Sequence, residues 1–419
     1  MKTKPFSSLA TIVASCLVVA VSCKNTSVVP DPVKNTPTGE LRVSAPFAQQ
    51  TTQFAFDMAK RVTTKEGQSK NVFVSPLSLH MALGMILNGA NAKTAQEIQK
   101  TLNLDAQTLA EANQTYQNLM ENLPATTSKY TLQLANSVFY RNTFEVAQSF
   151  QDVLKQTFEA EVSAQDFNSP ATVDKINAWA SAKTNGKIPK VIDEIKPDNV
   201  MFLLNALYFK GEWQKQFKPE NTVNMPFKLA TGGETTVRMM RLDTDLRRAS
   251  KPSFTAFELP YSAEGDGPSF AMTVLLPAQN TTAETLLNSL TGADWDQLQN
   301  DMTPGKMDIG LPKFTFSYEI KLNDVLSEMG MPTAFTDQAD FSKMNPKGGL
   351  MLSFVKQNTF VAVDEKGTEA AAVTTGGISV TSAPMPTLCN RPFLFVIHEK
   401  KSGTVLFVGR IADPTKTNS

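Results

Sequence analysis

The sequence predicts one large domain that combines α-helices with β-strands, and three observations support this prediction. The segment His80-Met81-Ala82-Leu83-Gly84-Met85 is an apolar stretch with helical character. The segment Phe395-Val396-Ile397 has the pattern of a strand. Between residues 50 and 415 no Pro/Gly/Ser-rich break, charge run or internal repeat interrupts the chain. A chain of 419 residues would otherwise suggest several domains, but this continuity indicates one.

Composition is that of a globular protein and gives no support for a nucleic-acid ligand. Hydrophobic residues make up 41% of the chain and charged residues 19%, which is ordinary for a domain with a sizeable core. Forty basic and forty acidic residues cancel. Because no Lys/Arg stripe with interleaved aromatics is present, neither nucleic acid nor an acidic substrate is an expected partner.

Residues 1–22 are predicted to be a signal peptide. Two lysines precede an apolar run from Leu9 to Val21, which is shorter than the ~20 residues that a helix needs to cross a bilayer. The run leads into Ala20-Val21-Ser22-Cys23, which resembles a bacterial lipobox, although Ala20 stands where leucine is usual. The resemblance implies an exported outer-membrane lipoprotein with a lipid anchor at Cys23, on the periplasmic face or the cell surface. The alternative is a plain secretory signal and a secreted protein.

Residues 23–46 are polar and contain four prolines, and they are predicted to form a flexible, lipid-anchored tether. A domain at 47–415 and a short tail at 416–419 follow. Cys16 leaves with the signal and Cys23 carries the lipid, so the mature domain keeps only Cys389. No internal disulfide is expected.

A run of small residues near the C-terminus has the composition of a strand that can be added to an existing sheet. Residues 364–372 read Asp-Glu-Lys-Gly-Thr-Glu-Ala-Ala-Ala, and no proline follows before Pro384. Strand alternation places uncharged residues on one face, which is therefore suited to burial. They are Thr368, Ala370, Ala372, Thr374, Gly376, Ile378 and Val380. A flexible linker is the alternative for this segment taken alone.

Short motifs spread between residues 71 and 410 make the prediction more specific. In chain order they are Asn71-Val72-Phe73-Val74-Ser75-Pro76, Leu134-Ala135-Asn136-Ser137-Val138-Phe139, Gly186-Lys187-Ile188, Leu203-Leu204-Asn205-Ala206-Leu207-Tyr208-Phe209-Lys210-Gly211, Leu311-Pro312-Lys313-Phe314, Ala339-Asp340-Phe341-Ser342, Arg391-Pro392-Phe393 and Phe407-Val408-Gly409-Arg410. Their order resembles that of the serpins, protease inhibitors whose exposed loop inserts into their own main sheet. The chain is identified as a member of that family.

The resemblance implies an α+β fold, the serpin fold, with about three β-sheets surrounded by about nine helices and an exposed reactive-centre loop at about 365–389. It also implies a suicide-substrate inhibitor of serine proteases rather than an enzyme. In that mechanism the protease forms its acyl-enzyme on the loop, and the cut loop then inserts as a new strand and distorts the protease. The expected partner is a serine protease in a covalent acyl complex, and the inhibitor is expected to be a monomer. A noninhibitory serpin-fold lipoprotein that acts as a binding or scaffold module is the alternative.

The resemblance assigns a hinge at the start of the loop. Its residues are Glu365, Gly367, Thr368, Ala370, Ala371 and Ala372. A charge or a large polar group at 368 or 370 would have to lose its water between two layers, at a cost of several kcal/mol. Many noninhibitory serpins depart from this composition, and this chain keeps it, which favours an inhibitor.

A second set of residues corresponds to the family's hydrogen-bonded cluster where the main sheet opens. Here it consists of Ser75, Ser78 and Asn205, with Gln357 where the family usually has a histidine. An amide both donates and accepts hydrogen bonds, so we expect the contact to persist. Its pH sensitivity is not expected to persist.

Position counting along the family's loop places the reactive bond between Thr381 and Ser382, with Val380-Thr381 as the alternative. The residues from Ile378 to Thr381 are small or β-branched and uncharged, which suits the shallow apolar pocket of elastase-like or subtilisin-like serine proteases. No lysine or arginine lies between Lys366 and Arg391, which disfavours trypsin-like enzymes.

Catalytic and metal-binding patterns are not found in the sequence. His80 lies in the helical apolar stretch and is predicted to be structural, and His398 is predicted to lie at a strand end. Neither belongs to a nucleophile elbow or a zinc-ligand spacing, and no phosphate-binding glycine loop is present. No cofactor and no metal are therefore expected.

Overall fold

The structure is a computed structural model, and it describes residues 39–263, 265, 267–368 and 386–417. These residues all belong to one compact unit, Asn35–Ser419. The signal peptide, Cys23 and most of the tether lie outside the described residues, as do Glu369 and residues 370–385 of the loop.

Nine α-helices are present in the described part of the chain. They are α1 (Ala45–Glu66), α2 (Pro76–Gly89), α3 (Ala92–Thr101), α4 (Leu109–Asn122), α5 (Gln148–Phe158), α6 (Pro170–Lys183), α7 (Ala283–Ser289), α8 (Gly292–Asp301) and α9 (Asn323–Met329). Several begin at side-chain caps, which satisfy the free N–H groups of a helix start. Ser75 caps α2, and Thr108 with Glu111 forms a capping box at α4.

The first helix begins two residues before the predicted domain boundary at 47. Ser44 Oγ accepts a hydrogen bond from Phe47 N at 3.3 Å, which starts α1 at Ala45. The preceding residues lie along α4, where Asn118 Oδ1 accepts from Arg42 N at 2.6 Å. Residues 39–44, assigned to the tether by sequence, therefore contact the folded body.

Sixteen strands are described. They are β1 (Val72–Val74), β2 (Ala125–Thr126), β3 (Tyr130–Arg141), β4 (Glu161–Gln165), β5 (Met201–Glu212), β6 (Val223–Lys228), β7 (Glu234–Lys251), β8 (Phe254–Pro260), β9 (Phe270–Pro277), β10 (Thr303–Pro312), β11 (Phe314–Lys321), β12 (Lys356–Val363), β13 (Gly367–Thr368), β14 (Thr387–Leu388), β15 (Phe393–Glu399) and β16 (Val405–Ile411).

Seven of these strands form the sheet that carries the loop hinge. Its order is β11-β12-β13-β5-β3-β2, with β4 added in parallel to β3. The long strands β3 and β5 pair over their whole length, from Tyr130 opposite Gly211 to Tyr140 opposite Met201. This sheet therefore has two well-paired halves, joined at the short β13.

The other nine strands form one hydrogen-bonded network in which β7 has three partners. Its order is β1-β16-β15-β9-β8-β7-β10-β14, with β6 also on β7. Within β7, residues 234–239 pair with β6, residues 239–248 pair with β10 and residues 247–251 pair with β8. The described strands therefore form two hydrogen-bonded sheets, of seven and nine strands, and together with the nine described helices they confirm the predicted α+β class.

The core joins the helices to both strand networks and contains many aromatic side chains. Phe73 stacks on Phe407 at a ring distance of 4.8 Å and lies 5.7 Å from Phe395, which connects β1, β16 and β15. Cys389 is buried and unbonded, and burial raises the pKa of its thiol to about 12. Among the described helices, none combines the length and the apolar character that crossing a bilayer requires.

Candidate functional site

The segment that leads from β12 into the predicted loop is a tight turn. Asp364 N donates to the carbonyl of Gly367 at 3.0 Å. The Asp364 carboxylate accepts from the N–H groups of Lys366 and Gly367 at 2.9 and 3.3 Å. Burial raises the pKa of this carboxyl, and the two N–H groups oppose that shift. The turn sets the direction in which β13 leaves β12.

The two residues of β13 occupy a place between β12 and β5. Thr368 lies opposite Val363 of β12 and opposite Gly211 of β5. A Cβ atom at Gly367 would lie 2.0 Å from the carbonyl oxygen of Gly211, so a larger residue does not fit. The start of the predicted hinge is thus already a strand of the seven-stranded sheet.

Trp213 and Phe217 hold the backbone of the turn. Trp213 N donates to the carbonyl of Lys366 at 2.8 Å, and its indole Nε1 donates to the carbonyl of Asp364 at 2.9 Å. Phe217 N donates to the carbonyl of Glu365 at 2.9 Å. Because each of these carbonyls is satisfied, the turn is bound to the body at three successive residues.

Glu365, the predicted hinge acid, is a buried carboxylate with two partners. Lys313 Nζ lies 2.7 Å from Oε2, and the Thr222 hydroxyl donates to Oε1 at 2.8 Å. Burial alone would raise the pKa of this carboxyl. Hydrogen bonds from Lys313, the backbone and Thr222 outweigh burial and hold the pKa below its ordinary value. Glu365 is therefore a charged anchor for the base of the hinge.

Thr368, the first predicted inward residue, is buried and bonded to Tyr261. The two hydroxyl oxygens are 2.7 Å apart. The Tyr261 ring stacks on Trp213 with ring centroids 4.6 Å apart. A Cβ atom at Gly211 would lie 2.7 Å from the Tyr261 ring, so this glycine leaves the space that the ring occupies.

β12 and β5, the two strands that flank β13, are not paired with each other in the residues that precede their contacts with β13. The register of β12 joins it to β11 over its whole length but to β13 only at Val363. A cavity of about 330 Å³ lies between β12 and β5, with residues of α2 and α6 also lining it. The four predicted residues of the sheet-opening cluster all line this cavity.

Three of those four residues form one hydrogen-bonded group. Gln357 Oε1 accepts from Ser75 N at 2.9 Å, and its Nε2 donates to the Ser75 carbonyl at 2.8 Å. Ser75 Oγ donates to the carbonyl of Leu406 at 3.0 Å and accepts from Ser78 N at 3.4 Å. The group connects β12, the start of α2 and β16.

Asn205, the fourth residue, has a different partner. Its Nδ2 donates to Asn136 Oδ1 at 2.7 Å across the β5 and β3 pair. Asn136 Nδ2 donates in turn to the carbonyl of Phe158 at 2.7 Å. The Asn205 Oδ1 atom is buried and has no hydrogen-bond partner among the described residues. The cluster is therefore divided between the two sides of the cavity.

Sequence reasoning did not assign functions to Asn136, Tyr261, Lys313 or Thr222. Asn136 and Lys313 stand inside motifs that were recognised, at positions where a polar residue interrupts an apolar pattern. That interruption was the available signal, because a buried polar side chain needs a partner. Tyr261 follows Leu259-Pro260 without any such signal.

Several predicted site residues lie outside the described residues. They are Ala370, Ala371 and Ala372 of the hinge, Val380, Thr381 and Ser382 at the reactive bond, and Cys23. These assignments remain predictions.

The two histidines are buried. His80 in α2 lies 2.9 Å from the Tyr116 hydroxyl and 3.1 Å from the carbonyl of Leu102. His398 in β15 lies 3.0 Å from Thr273 Oγ1. Burial lowers the pKa of both to about 4. Within the described residues no group of His, Cys, Asp and Glu is arranged to hold a metal ion.

The fold and the site define a protein whose seven-stranded sheet contains the first residues of the predicted loop, Gly367 and Thr368, as a strand. The family model described as "Serpin (serine protease inhibitor)" matches residues 49–414. The chain therefore belongs to the serpin family, whose members are mostly protease inhibitors rather than enzymes.

Relatives and solved structures agree with this assignment. The human protein Serpin B3 is 35% identical over 394 residues, covering 88% of this chain and 99% of the relative. The leukocyte elastase inhibitor of Xenopus tropicalis is 34% identical over 376 residues, covering 87% and 98%. The structure of thyroxine-binding globulin in complex with thyroxine has a TM-score of 0.79 and 27% identity, covering 88% of this chain and 99% of that one. The family thus contains a protein named for elastase inhibition and a protein that binds a small molecule.

Proposed function

We propose that this serpin is a suicide-substrate inhibitor of serine proteases that traps the acyl-enzyme by inserting its cleaved loop into the seven-stranded sheet. The observation that carries the proposal is the position of β13. Thr368 already pairs with both flanking strands. Beyond this contact, the facing edges of β12 and β5 are not hydrogen-bonded to each other. A strand that continues from Thr368 would pair with both edges.

The protease supplies the catalytic serine that cuts the loop, and the inhibitor supplies the free energy that loop insertion releases. The protease serine attacks the carbonyl carbon of Thr381, an ester bond forms, and the bond to Ser382 breaks. The serine proton ends on the new amino group of Ser382. If about ten residues then enter the sheet at ~0.5–1.5 kcal/mol per new ladder bond, insertion releases on the order of 10 kcal/mol. That is comparable with the whole stability of a small domain.

The target is proposed to be an elastase-like or subtilisin-like enzyme. The uncharged, β-branched residues before the Thr381-Ser382 bond suit a shallow apolar pocket. The name of the Xenopus tropicalis relative, an inhibitor of leukocyte elastase, supports the same class. Cleavage at Val380-Thr381 is retained as the alternative.

The protein is also proposed to be a bacterial outer-membrane lipoprotein anchored through Cys23. The support is the sequence Ala20-Val21-Ser22-Cys23 at the end of an apolar run. Two acyl chains at ~0.8 kcal/mol per buried methylene give stable anchoring. Replacement by Cys23→Ser should release the protein from membranes or block its processing. Equal solubility of both forms after secretion would leave only the secreted alternative.

A noninhibitory binding module is the second candidate function. Its support is the structural likeness to thyroxine-binding globulin, which binds thyroxine and shares the fold. The two candidates differ in their response to a protease. The module would be cut without forming a stable complex, whereas the inhibitor would remain attached.

Denaturing gel electrophoresis after incubation with elastase, subtilisin and trypsin tests the proposal. We expect a covalent band with elastase or subtilisin, together with a released peptide that mass spectrometry shows to begin at Ser382 or Thr381. Trypsin is the matched control and should give no such band. Cleavage by elastase and subtilisin without any covalent band would overturn the proposal and favour the binding module.

A further inference from the structure

A buried pair of hydroxyl groups connects the hinge to the body of the protein. The oxygens of Tyr261 and Thr368 are 2.7 Å apart, and the two residues are only 3% and 4% exposed. The bond joins residues 107 positions apart in the chain.

The body holds the Tyr261 hydroxyl in place independently of the hinge. The ring stacks on Trp213 at 4.6 Å and meets the edge of Phe209 at 4.9 Å. Tyr261 N donates to the carbonyl of Phe270 at 3.0 Å. Because the ring is fixed on several sides, its hydroxyl forms a prepared polar site for whatever side chain enters at position 368.

This site distinguishes a hydroxyl from an apolar group of the same shape. Valine has nearly the volume of threonine, but it would leave the Tyr261 hydroxyl buried without a partner, which is unfavourable. Serine keeps the partner and loses only a methyl group. The requirement at 368 is therefore a hydroxyl, and not merely a small uncharged residue.

We infer that Tyr261 is a positioning residue for loop insertion. Its hydroxyl recognises the Thr368 hydroxyl and holds the hinge in the sheet before the loop is cut. Insertion then starts from a strand pair that already exists. The consequence for inhibition rests on the proposed function, whereas the hold on the hinge is a property of the uncut chain.

Hydrogen exchange of the Trp213 amide measures this hold in the uncut protein. That N–H donates to the carbonyl of Lys366, so it becomes exposed when the hinge leaves the sheet. Loss of one buried hydrogen bond in Tyr261→Phe or Thr368→Val should raise its exchange rate about fivefold. Thr368→Ser should exchange like the wild type. So should Tyr318→Phe, which removes a tyrosine hydroxyl bonded to Glu66, away from the hinge.

The double variant decides between a direct bond and separate effects. If the two hydroxyls act through each other, Tyr261→Phe with Thr368→Val should exchange no faster than the faster single variant. Multiplicative effects in the double variant, or an unchanged rate in Tyr261→Phe, would overturn the inference.

A second measurement gives the consequence for inhibition. Tyr261→Phe should increase the number of inhibitor molecules consumed for each protease molecule trapped, because slower insertion leaves more time for hydrolysis. If the wild type traps no protease, the proposed function fails while the exchange result still stands. If the wild type traps protease and Tyr261→Phe shows the same consumption, the positioning role is wrong and the proposed function survives.

Discussion

Gln357 bonds to the backbone of Ser75 through both atoms of its side-chain amide, at 2.9 Å to the N–H and 2.8 Å to the carbonyl. The contact joins β12 to the first turn of α2. In the place where serpins usually have a histidine, this amide satisfies a buried donor and a buried acceptor without a group that titrates near neutral pH.

Replacing Gln357 by alanine should therefore destabilise the protein. It leaves the Ser75 N–H and carbonyl buried and unpaired, at a cost of about 1–3 kcal/mol for each lost bond. Urea unfolding followed by tryptophan fluorescence measures the change. Asn358→Ala is the matched control, because the neighbouring amide makes one exposed bond of 3.3 Å to Lys190. Equal losses in the two variants would contradict this account.

The ion pair of Lys313 with Glu365 should also contribute to stability. The Glu365 side chain is 8% exposed, so Lys313→Met leaves a buried carboxylate without its cation. Because Lys313 itself is 30% exposed, we expect a loss of about 2 kcal/mol, below the 3–5 kcal/mol of a fully buried pair. Thermal unfolding measures it. Lys65→Met, which removes the exposed pair with Asp324, is the control and should cost less than about 1 kcal/mol.

Stability should fall as the pH drops from 7 to 5, because of the two buried histidines. Their pKa is about 4 in the folded protein and 6.5 without burial. Between these values the unfolded chain binds more protons than the folded chain, so acid favours unfolding, and each histidine should account for about 2 kcal/mol.

Unfolding experiments at pH 7 and pH 5 test this pH dependence. The variant His80→Gln should be less stable at pH 7 but should show a smaller loss between the two pH values. A stability that does not change over this range would show that the histidines titrate normally.

A positive charge at position 368 should convert the protein from an inhibitor into a substrate. Thr368 lies in a closed space against Tyr261, and burying a charge there costs several kcal/mol. Thr368→Arg should still be cut at the same bond but should yield no covalent complex. Lys366→Glu, a charge change on the exposed turn residue, is the control and should retain the complex. An unchanged yield of complex in Thr368→Arg would rule out insertion.

Loop cleavage should raise thermal stability, and Thr374 should contribute to the gain. Continued in the register of Thr368, an inserted loop would place residue 374 opposite both Gln357 and Asn205. Its hydroxyl would meet the Asn205 Oδ1 atom, which has no partner among the described residues. Thr374→Val should therefore reduce the stability of the cleaved form by about 1 kcal/mol and leave the uncut form unchanged.

Calorimetry before and after cleavage separates these effects. Thr375→Val, which alternation places on the opposite face, is the control for Thr374→Val. A midpoint that does not rise on cleavage would mean that the loop does not insert, and equal effects of the two variants would exclude the proposed register.

Local sequence patterns predicted the structural features that depend only on residues close together in the chain. The helix around His80, the strand at Phe395-Val396-Ile397 and the burial of Thr368 follow from periodicity and size. The sequence indicated only that an amide at 357 can both donate and accept hydrogen bonds. In the structure Gln357 does both with the backbone of Ser75.

Contacts between distant segments were not predictable in this way. Asn205 bonds Asn136 because β3 and β5 pair in a register that no local pattern contains. Tyr261 meets Thr368 only because β13 lies between β12 and β5. Which side chain satisfies a buried polar group is a property of the assembled sheet.

The contact of residues 39–44 with α4 limits the reach of an anchored protein. For a chain held at Cys23, only residues 23–38 remain between the lipid and the folded body, and sixteen extended residues span at most about 55 Å. An inhibitor anchored in this way would stay within that distance of the membrane surface, where its local concentration would be high. Proteases that diffuse through this region would meet it far more often than those in the bulk.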